Sequence, residues 1–447
     1  MSNTTANSLA FEQTRIGLAT QFKWLAFRFL EWLSDLRGNA VAVPLEIDRA
    51  AHSEASIWVF VSTIGELNAI DPFLKKLVSH SSHLKLVLIT DHPHYLESYR
   101  SRYPDSAVVV SMGHSNDAKQ LAERFRPELL VVGEIPCWPG DAPCRFSFAF
   151  LVEAKRRGAR ACVVNGWLYY YPPSCRMDQL ERQLFHADYL NAFDLLAVQT
   201  EDVKSAMVEQ GADPARIHVV GNLKFDALPP ADWSPQQAKS PEMLSAMIEA
   251  GRPVIVAGCV TEYEDQNLVL DAFQQFRSEH PDALLVIAPR HPEVSERMVM
   301  LEKFLEQRDI PYLFRSRVGD IPITAAVACL VLDTIGELRD VYAASSVAHV
   351  GVDHNVLEPL GFGKPVTVQP GWNETYPSYP VYCLLHEQGG LIQVSSAVEL
   401  AASWLALLRS PEQYRDAQAK VSRVLENVRG AVERHWSVFL PLLQAGK

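Results

Sequence analysis

The sequence predicts two α/β domains, each built on a parallel sheet, and three observations carry that prediction. A chain of 447 residues is too long for one ordinary core and suits two domains of roughly 200 residues each. Short unbroken runs of Val, Ile and Leu alternate with longer amphipathic segments, as in parallel strands buried on both faces with helices between them. The alternation is interrupted once, by the Pro- and Ser-rich stretch 229–241, PPADWSPQQAKSP, which reads as a linker.

Taken in order, the first domain draws its strands from Ile57–Val61, Leu84–Thr90, Ala107–Val110, Leu129–Val132, Ala161–Val164, Leu195–Val198 and Ile217–Val220. After the break, Val254–Ala257, Ala283–Ala288, Tyr312–Phe314, Cys329–Leu332, Val347–Val350 and Pro365–Val368 supply a second set. The expected division is an N-terminal helical segment 1–40, a first Rossmann-like domain 41–228, a linker 229–243, a second Rossmann-like domain 244–425, and a terminal helix 426–447. That helix belongs to a long helical run from Pro411 to Leu443, long enough to cross back to the first domain.

Between Phe11 and Arg37 the chain mixes Phe22, Trp24, Leu25, Phe27, Phe29, Leu30, Trp32 and Leu33 with Arg15, Lys23, Arg28 and Arg37. Charges interrupt every apolar run, so the stretch falls short of the roughly 20 mostly apolar residues of a spanning helix. Two readings stay open: a helix lying in a membrane interface, or one docked on its own domain.

Composition excludes several functions. Hydrophobic residues at 48% and charged residues at 21% rule out wholesale disorder and a multi-span membrane protein. A formal charge of -12 argues against nucleic acid as a partner. The seven cysteines include no CxxC pair, and His83, His92, His94 and His114 read as lone surface histidines. No metal site is expected.

In open parallel sheets ligands sit beyond the carboxyl ends of the strands, so the loops there are the candidates. Trp58–Val61 runs into Ser62-Thr63-Ile64-Gly65-Glu66. Glu66 is placed as a general base on an acceptor hydroxyl, with Thr63 beside it and Gly65 opening room; it equally suits the first turn of a helix. In the second domain Ala283–Ala288 leads into Pro289-Arg290-His291-Pro292, either a braced donor cluster for a phosphate or an ordinary charged turn. Leu330–Leu332 leads into Asp333-Thr334-Ile335-Gly336-Glu337-Leu338, with a helix N-terminus offering N–H groups to an anion. After Val347–Val350 comes His354-Asn355-Val356-Leu357-Glu358-Pro359, whose glutamate suits a ribose diol or merely caps the helix that starts there.

Read as an ordered series, these loops resemble the Kdo (3-deoxy-D-manno-octulosonic acid) transferase family. Trp58, Thr63, Gly65 and Glu66 stand at matching places of W-x-H-A-x-S-x-G-E, and Glu134–Pro139 (EIPCWP) is similar to E-T-E-L-W-P. Gly221–Asp226 matches G-N-x-K-F-D, and PRHPE, DTIGEL and HNVLEP resemble P-R-H-P-E, D-T-x-G-E-L and H-N-x-L-E-P. Together they cover most of residues 56 to 375.

The resemblance implies a GT-B fold, two Rossmann-like domains facing a cleft with an N-terminal amphipathic helix. It implies an inverting glycosyltransferase that moves Kdo, or a related ulosonic acid, from a CMP-activated donor to a lipid A precursor or related lipopolysaccharide acceptor. Glu66 is then the catalytic base. Donor contacts fall to Arg290, His291, Thr334, Gly336, Glu337, Asn355 and Glu358, and acceptor contacts to Thr63, Gly65, Glu134, Trp138 and Lys224. No cofactor is implied beyond the CMP-sugar. The partners are that donor, a lipid-linked acceptor and the cytoplasmic face of the inner membrane.

The sequence departs from the family where substrate is read. The family histidine is Phe60, the second glutamate of E-T-E-L-W-P is Pro136, and N-x-R-L-S is replaced by Asn165-Gly166-Trp167-Leu168-Tyr169, which reads as a stacking surface for a sugar. Cys259–Asp265 retains only the acidic end of S-T-H-x-G-E-E, and Gly351–Asp353 shortens a glycine-rich loop. A GT-B enzyme with another nucleotide sugar, and a degraded paralogue that only binds a nucleotide or a partner, remain as alternatives.

Overall fold

The computed structural model describes residues 13–36, 54–134, 146–168, 176–229, 233–290, 292, 294–318, 323–374, 376 and 378–444. The chain divides into two compact units, Met1–Ala227 with Val428–Lys447, and Leu228–Asn427.

The first unit holds β1 (Glu54–Phe60), β2 (Lys85–Thr90), β3 (Ala107–Val110), β4 (Phe125–Gly133), β5 (Arg160–Gly166), β6 (Leu195–Val198) and β7 (Ile217–Val219). They pair in the order β3-β2-β1-β4-β5-β6-β7, every pair parallel. The second unit holds β8 (Val254–Gly258), β9 (Leu284–Ala288), β10 (Tyr312–Phe314), β11 (Cys329–Val331), β12 (Val347–Val350), β13 (Val366–Val368) and β14 (Ile392–Gln393). Their order is β10-β11-β9-β8-β12-β13-β14, again parallel. Helices cover both faces, which is why β1, β8 and β9 are apolar on both sides and buried along nearly their whole length. The two-residue edge strand β14 left no apolar run to read.

Each sheet has one place where successive strands are added on opposite sides. In the first it lies between β1 and β4, in the second between β8 and β12. Such a switch point opens a crevice at the carboxyl edge. It puts the loops after β1 and β4 side by side, with Phe60 opposite Val132, and likewise those after β8 and β12, with Gly258 opposite Val350.

The closing run is two helices, Pro411–Val428 and Ala431–Gln444, rather than one. The break falls at Arg429 and Gly430, and the Asp226 carboxylate caps the second helix by accepting from Gly430 N (2.8 Å) and Val432 N (2.7 Å). Ala431, Phe439 and Leu442 enter a core with Leu67, Phe73 and Leu77.

Near the N-terminus a helix spans Leu18–Leu36. Trp24 and Phe27 are buried against Phe148 and Phe185, and burial of two such rings contributes on the order of 3–6 kcal/mol. Lys23 pairs with Asp188 at 2.8 Å and Asp35 with His114 at 2.9 Å. Its other side exposes Leu18, Phe22, Leu25, Phe29, Trp32 and Leu36, Phe22 at 72%. The helix is therefore docked on one stripe and bare on the other. Among the described residues no helix is long and apolar enough to cross a membrane.

Candidate functional site

In the first unit, Thr63 is the N-cap of the helix Ile64–His80 and accepts from Glu66 N at 3.3 Å. Glu66 reaches back over the turn. Its Oε2 accepts from Ser62 N at 2.7 Å and its Oε1 from the Thr63 hydroxyl at 3.2 Å, an arrangement close to a capping box. These bonds fix the carboxylate, which is almost wholly buried. They hold its two oxygens toward the turn and so orient the carboxylate. A Cβ on Gly65 would meet only Thr63 Oγ1, at 3.7 Å; the fold does not demand glycine there, and its absence of side chain leaves space beside Glu66.

Across the switch point, Glu134 follows β4 in a left-handed conformation, φ 53°. Its backbone bonds to Val164 O and Trp167 N (both 2.9 Å) fasten it to the end of β5, and its buried carboxylate pairs with Lys224. The structure thus joins two predicted acceptor residues that lie 90 positions apart. Lys224 is held by Asn222, whose Oδ1 accepts Lys224 N at 2.9 Å. Asn222 in turn donates to Gln199 at 2.9 Å, and Asn165 Oδ1 accepts Leu223 N at 2.8 Å. Trp138 lies outside the described residues.

Two readings of this region need correction. Trp167 and Leu168 are buried in the main core of the unit, not laid out as a stacking surface; Tyr169 is outside the described residues. Phe60 is also core, its ring 5.0 Å from that of Phe146, so an aromatic fills the place of the family histidine. His92 and His114 are not lone surface groups: each meets a carboxylate at 2.9 Å, Asp91 and Asp35 respectively.

In the second unit, Arg290 is exposed just past β9, and His291 lies outside the described residues. Thr334 and Glu337 are brought together. The Glu337 carboxylate accepts from the hydroxyls of Thr334 and Ser240 and from Arg315 Nε at 3.1 Å. Burial opposes its ionisation, but these donors outweigh burial and hold the carboxyl below its usual range. Gly336, at φ +88°, lies against Lys239, whose ammonium donates to Ile335 O. The helix that follows is only Leu338–Val341 with Glu337 at its N-cap. The expected anion site at a helix N-terminus is therefore replaced by a short acidic turn.

Asn355 stands just before the next short helix, Leu357–Gly361; its Oδ1 accepts Leu357 N at 3.1 Å and its amide donates to Glu358 at 3.4 Å. Desolvation raises the Glu358 carboxyl to about 7, against the opposing pull of Arg339 and Asn355. Cys259 senses the charges of both Glu358 and Arg290, so the loops after β8, β9 and β12 converge on one corner.

That corner depends on close backbone approaches, of which the sequence reading named Gly351 and passed over Gly258. A Cβ on Gly258 would overlap the hydroxyl of buried Tyr342, and one on Gly351 would overlap the carbonyl oxygen of Cys259. Both glycines directly end a strand at the switch point, which is the sequence signal that marks them. A separate surface cavity of about 570 Å³, lined by Ser346, Leu407 and Tyr414, lies at the amino end of β12, away from all these loops. Among the described residues no group of three or more His, Cys, Asp or Glu could hold a metal ion.

Comparison with known proteins follows the same division. A family model described as 3-deoxy-D-manno-octulosonic-acid transferase (kdotransferase) matches residues 39–227. The chain is similar to a 3-deoxy-D-manno-octulosonic acid transferase of Haemophilus influenzae, 24% identical over 400 residues, 87% of each chain. It is also similar to a bifunctional glycosyltransferase/methyltransferase of Fusobacterium nucleatum, 25% identical over 324 residues; this covers 70% of the chain and 47% of that protein, so the chain spans about half of that relative's length. A solved glycosyltransferase of Rickettsia africae shares the fold, with a TM-score of 0.57 at 12% identity over 88% of this chain and 100% of that one.

Proposed function

We propose, from the premise that this chain is a divergent member of the Kdo transferase family of glycosyltransferases, that it transfers Kdo or a related ulosonic acid from a CMP-activated donor to a lipid A precursor or a related lipopolysaccharide acceptor. The observation that carries this reading is the coincidence of family motifs with switch points. Glu66 and Glu134 follow the two strands that flank the first, and Cys259 and Glu358 follow the two that flank the second.

In the proposed reaction the acceptor hydroxyl attacks the anomeric carbon from the face opposite CMP. A carbon–oxygen bond forms, the bond to the CMP phosphate breaks, and the hydroxyl proton passes to the Glu66 carboxylate. Ser62 N–H and the Thr63 hydroxyl hold that carboxylate in one orientation, and fixed geometry of this kind supports proton transfer. The Glu134–Lys224 pair lines the acceptor side. Arg290 and His291 take the phosphate, Glu358 takes the ribose with Asn355 orienting it, and Thr334, Gly336 and Glu337 shape the donor loop. No cofactor takes part. The bare face of helix Leu18–Leu36 rests on the cytoplasmic side of the inner membrane, where a lipid-linked acceptor is found.

Thermal unfolding with CMP, UDP and GDP tests the donor class, because a ligand bound only to the folded state raises apparent stability by mass action. Protection by CMP but not by UDP or GDP is expected. Protection by UDP instead would replace this donor with another nucleotide sugar.

A further inference from the structure

The end of β2 grips the turn that carries Glu66 through bonds the reaction itself does not use. Val61 N donates to Ile89 O at 3.0 Å, and the Thr90 hydroxyl donates to Ser62 O at 2.8 Å. His92 N donates back to Thr90 Oγ1 at 3.2 Å, and the Tyr99 hydroxyl donates to Val61 O at 3.2 Å. Most telling is the Ser62 side chain. Its hydroxyl donates to Asp91 Oδ1 and lies 3.1 Å from His92 Nδ1, while His92 Nδ1 is 2.9 Å from the same Asp91 oxygen. The amide of this one serine also holds Glu66 Oε2. Ser62 and Asp91 are both buried, whereas His92 reaches the surface.

We propose that Asp91 and His92 are positioning residues for Glu66, acting through Ser62 on the turn that aims the carboxylate. A buried carboxylate is stable in place only with a charged or donating partner, and His92 supplies one when its ring is protonated. The groups facing the ring are Asp91 and the Ser62 hydroxyl; the His94 ring meets it edge-on and the Tyr95 ring lies tilted beside it. The hydrogen bond to Asp91 is the main cause that raises the His92 pKa above 6.5, with burial opposing it. The sign follows. The ion pair is complete below the raised pKa and is lost as pH rises through it, which weakens the hold on Asp91 and, through it, on the Ser62 hydroxyl. Transfer therefore falls on the alkaline side through this pair.

This inference rests on Glu66 as the base, and two arms separate its failure from that of the transfer reaction. The first needs no substrate. NMR titration of the full chain follows the His92 ring and the Ser62 and Glu66 amides; all three share one midpoint above 6.5, and in Asp91→Asn the ring midpoint falls and the amides stop following it. Amides that ignore the His92 transition in the wild type overturn the proposal even if no sugar is ever transferred. The second arm is kinetic. His92→Gln lowers kcat about tenfold at neutral pH with KM within about twofold, the size expected from a misaimed group. His92→Arg, which keeps the charge, holds its rate at alkaline pH where the wild type declines. A kcat unchanged in His92→Gln, or a loss as large as that of Glu66→Gln, overturns the positioning role, the latter by making His92 the proton acceptor itself.

Discussion

The two switch-point corners share a topology and differ in how they are built. Around β1 and β4 the charged groups are locked to one another: Glu66 to its turn, Asp91 to His92 and Ser62, Glu134 to Lys224. Around β8 and β12 the close approaches are made by backbone, Gly258 under Tyr342 and Gly351 under Cys259, while Arg290 stays exposed and Glu358 is pushed toward neutrality. The difference suits different tasks. Proton transfer needs a carboxylate held in one place. A nucleotide needs room against the backbone and charge left over to meet it.

Lys224→Met breaks that contrast most severely. It leaves the buried Glu134 carboxylate without its counter-charge, and because Lys224 is partly solvent-exposed the loss is expected near 2 kcal/mol rather than the 3–5 of a fully buried pair. In the double variant with Glu134→Gln at least about 1 kcal/mol returns, read from urea midpoints. Gly258→Ala comes next in the other corner. The new methyl collides with the Tyr342 hydroxyl, at about 1–2 kcal/mol and with loss of nucleotide protection; adding Tyr342→Phe restores part of the stability.

A smaller effect is confined to a pH window. Because folding raises the Glu358 carboxyl from 4.5 to about 7, the folded chain holds a proton that the unfolded chain releases. Its contribution is whole below 4.5 and declines as pH rises to about 7. Unfolding midpoints at pH 5 and pH 8 should differ less in Glu358→Gln than in the wild type. Smallest in stability is replacement of Phe22, Phe29 and Trp32 by serine. All three are exposed, so Tm should move by no more than about 2 °C, whereas co-sedimentation with anionic vesicles should drop about tenfold.

How much of this was legible depends on whether the signal is local. Strands buried on both faces announce themselves as unbroken apolar runs, and the thirteen read that way are present; β14 is too short to have a pattern. The long closing helix was misread because its break depends on Asp226, some 200 residues earlier, capping the second half. At the site, ordered motifs marked the right loops. What they could not give was partners distant in sequence: Ser240 on Glu337, Lys224 on Glu134, Ser62 on Asp91. Trp167 went wrong for a related reason, since an aromatic run does not say which way its rings point, and these face the core.

The most direct test of the central claim is product formation by wild type and Glu66→Gln, supplied with CMP-Kdo generated in situ and a lipid A precursor and read by mass spectrometry. The account predicts that the wild type adds the sugar and that Glu66→Gln loses at least about 10³ in rate, at the strong end of general-base effects, while CMP still protects both proteins against heat. Transfer by Glu66→Gln at a rate close to wild type would contradict it.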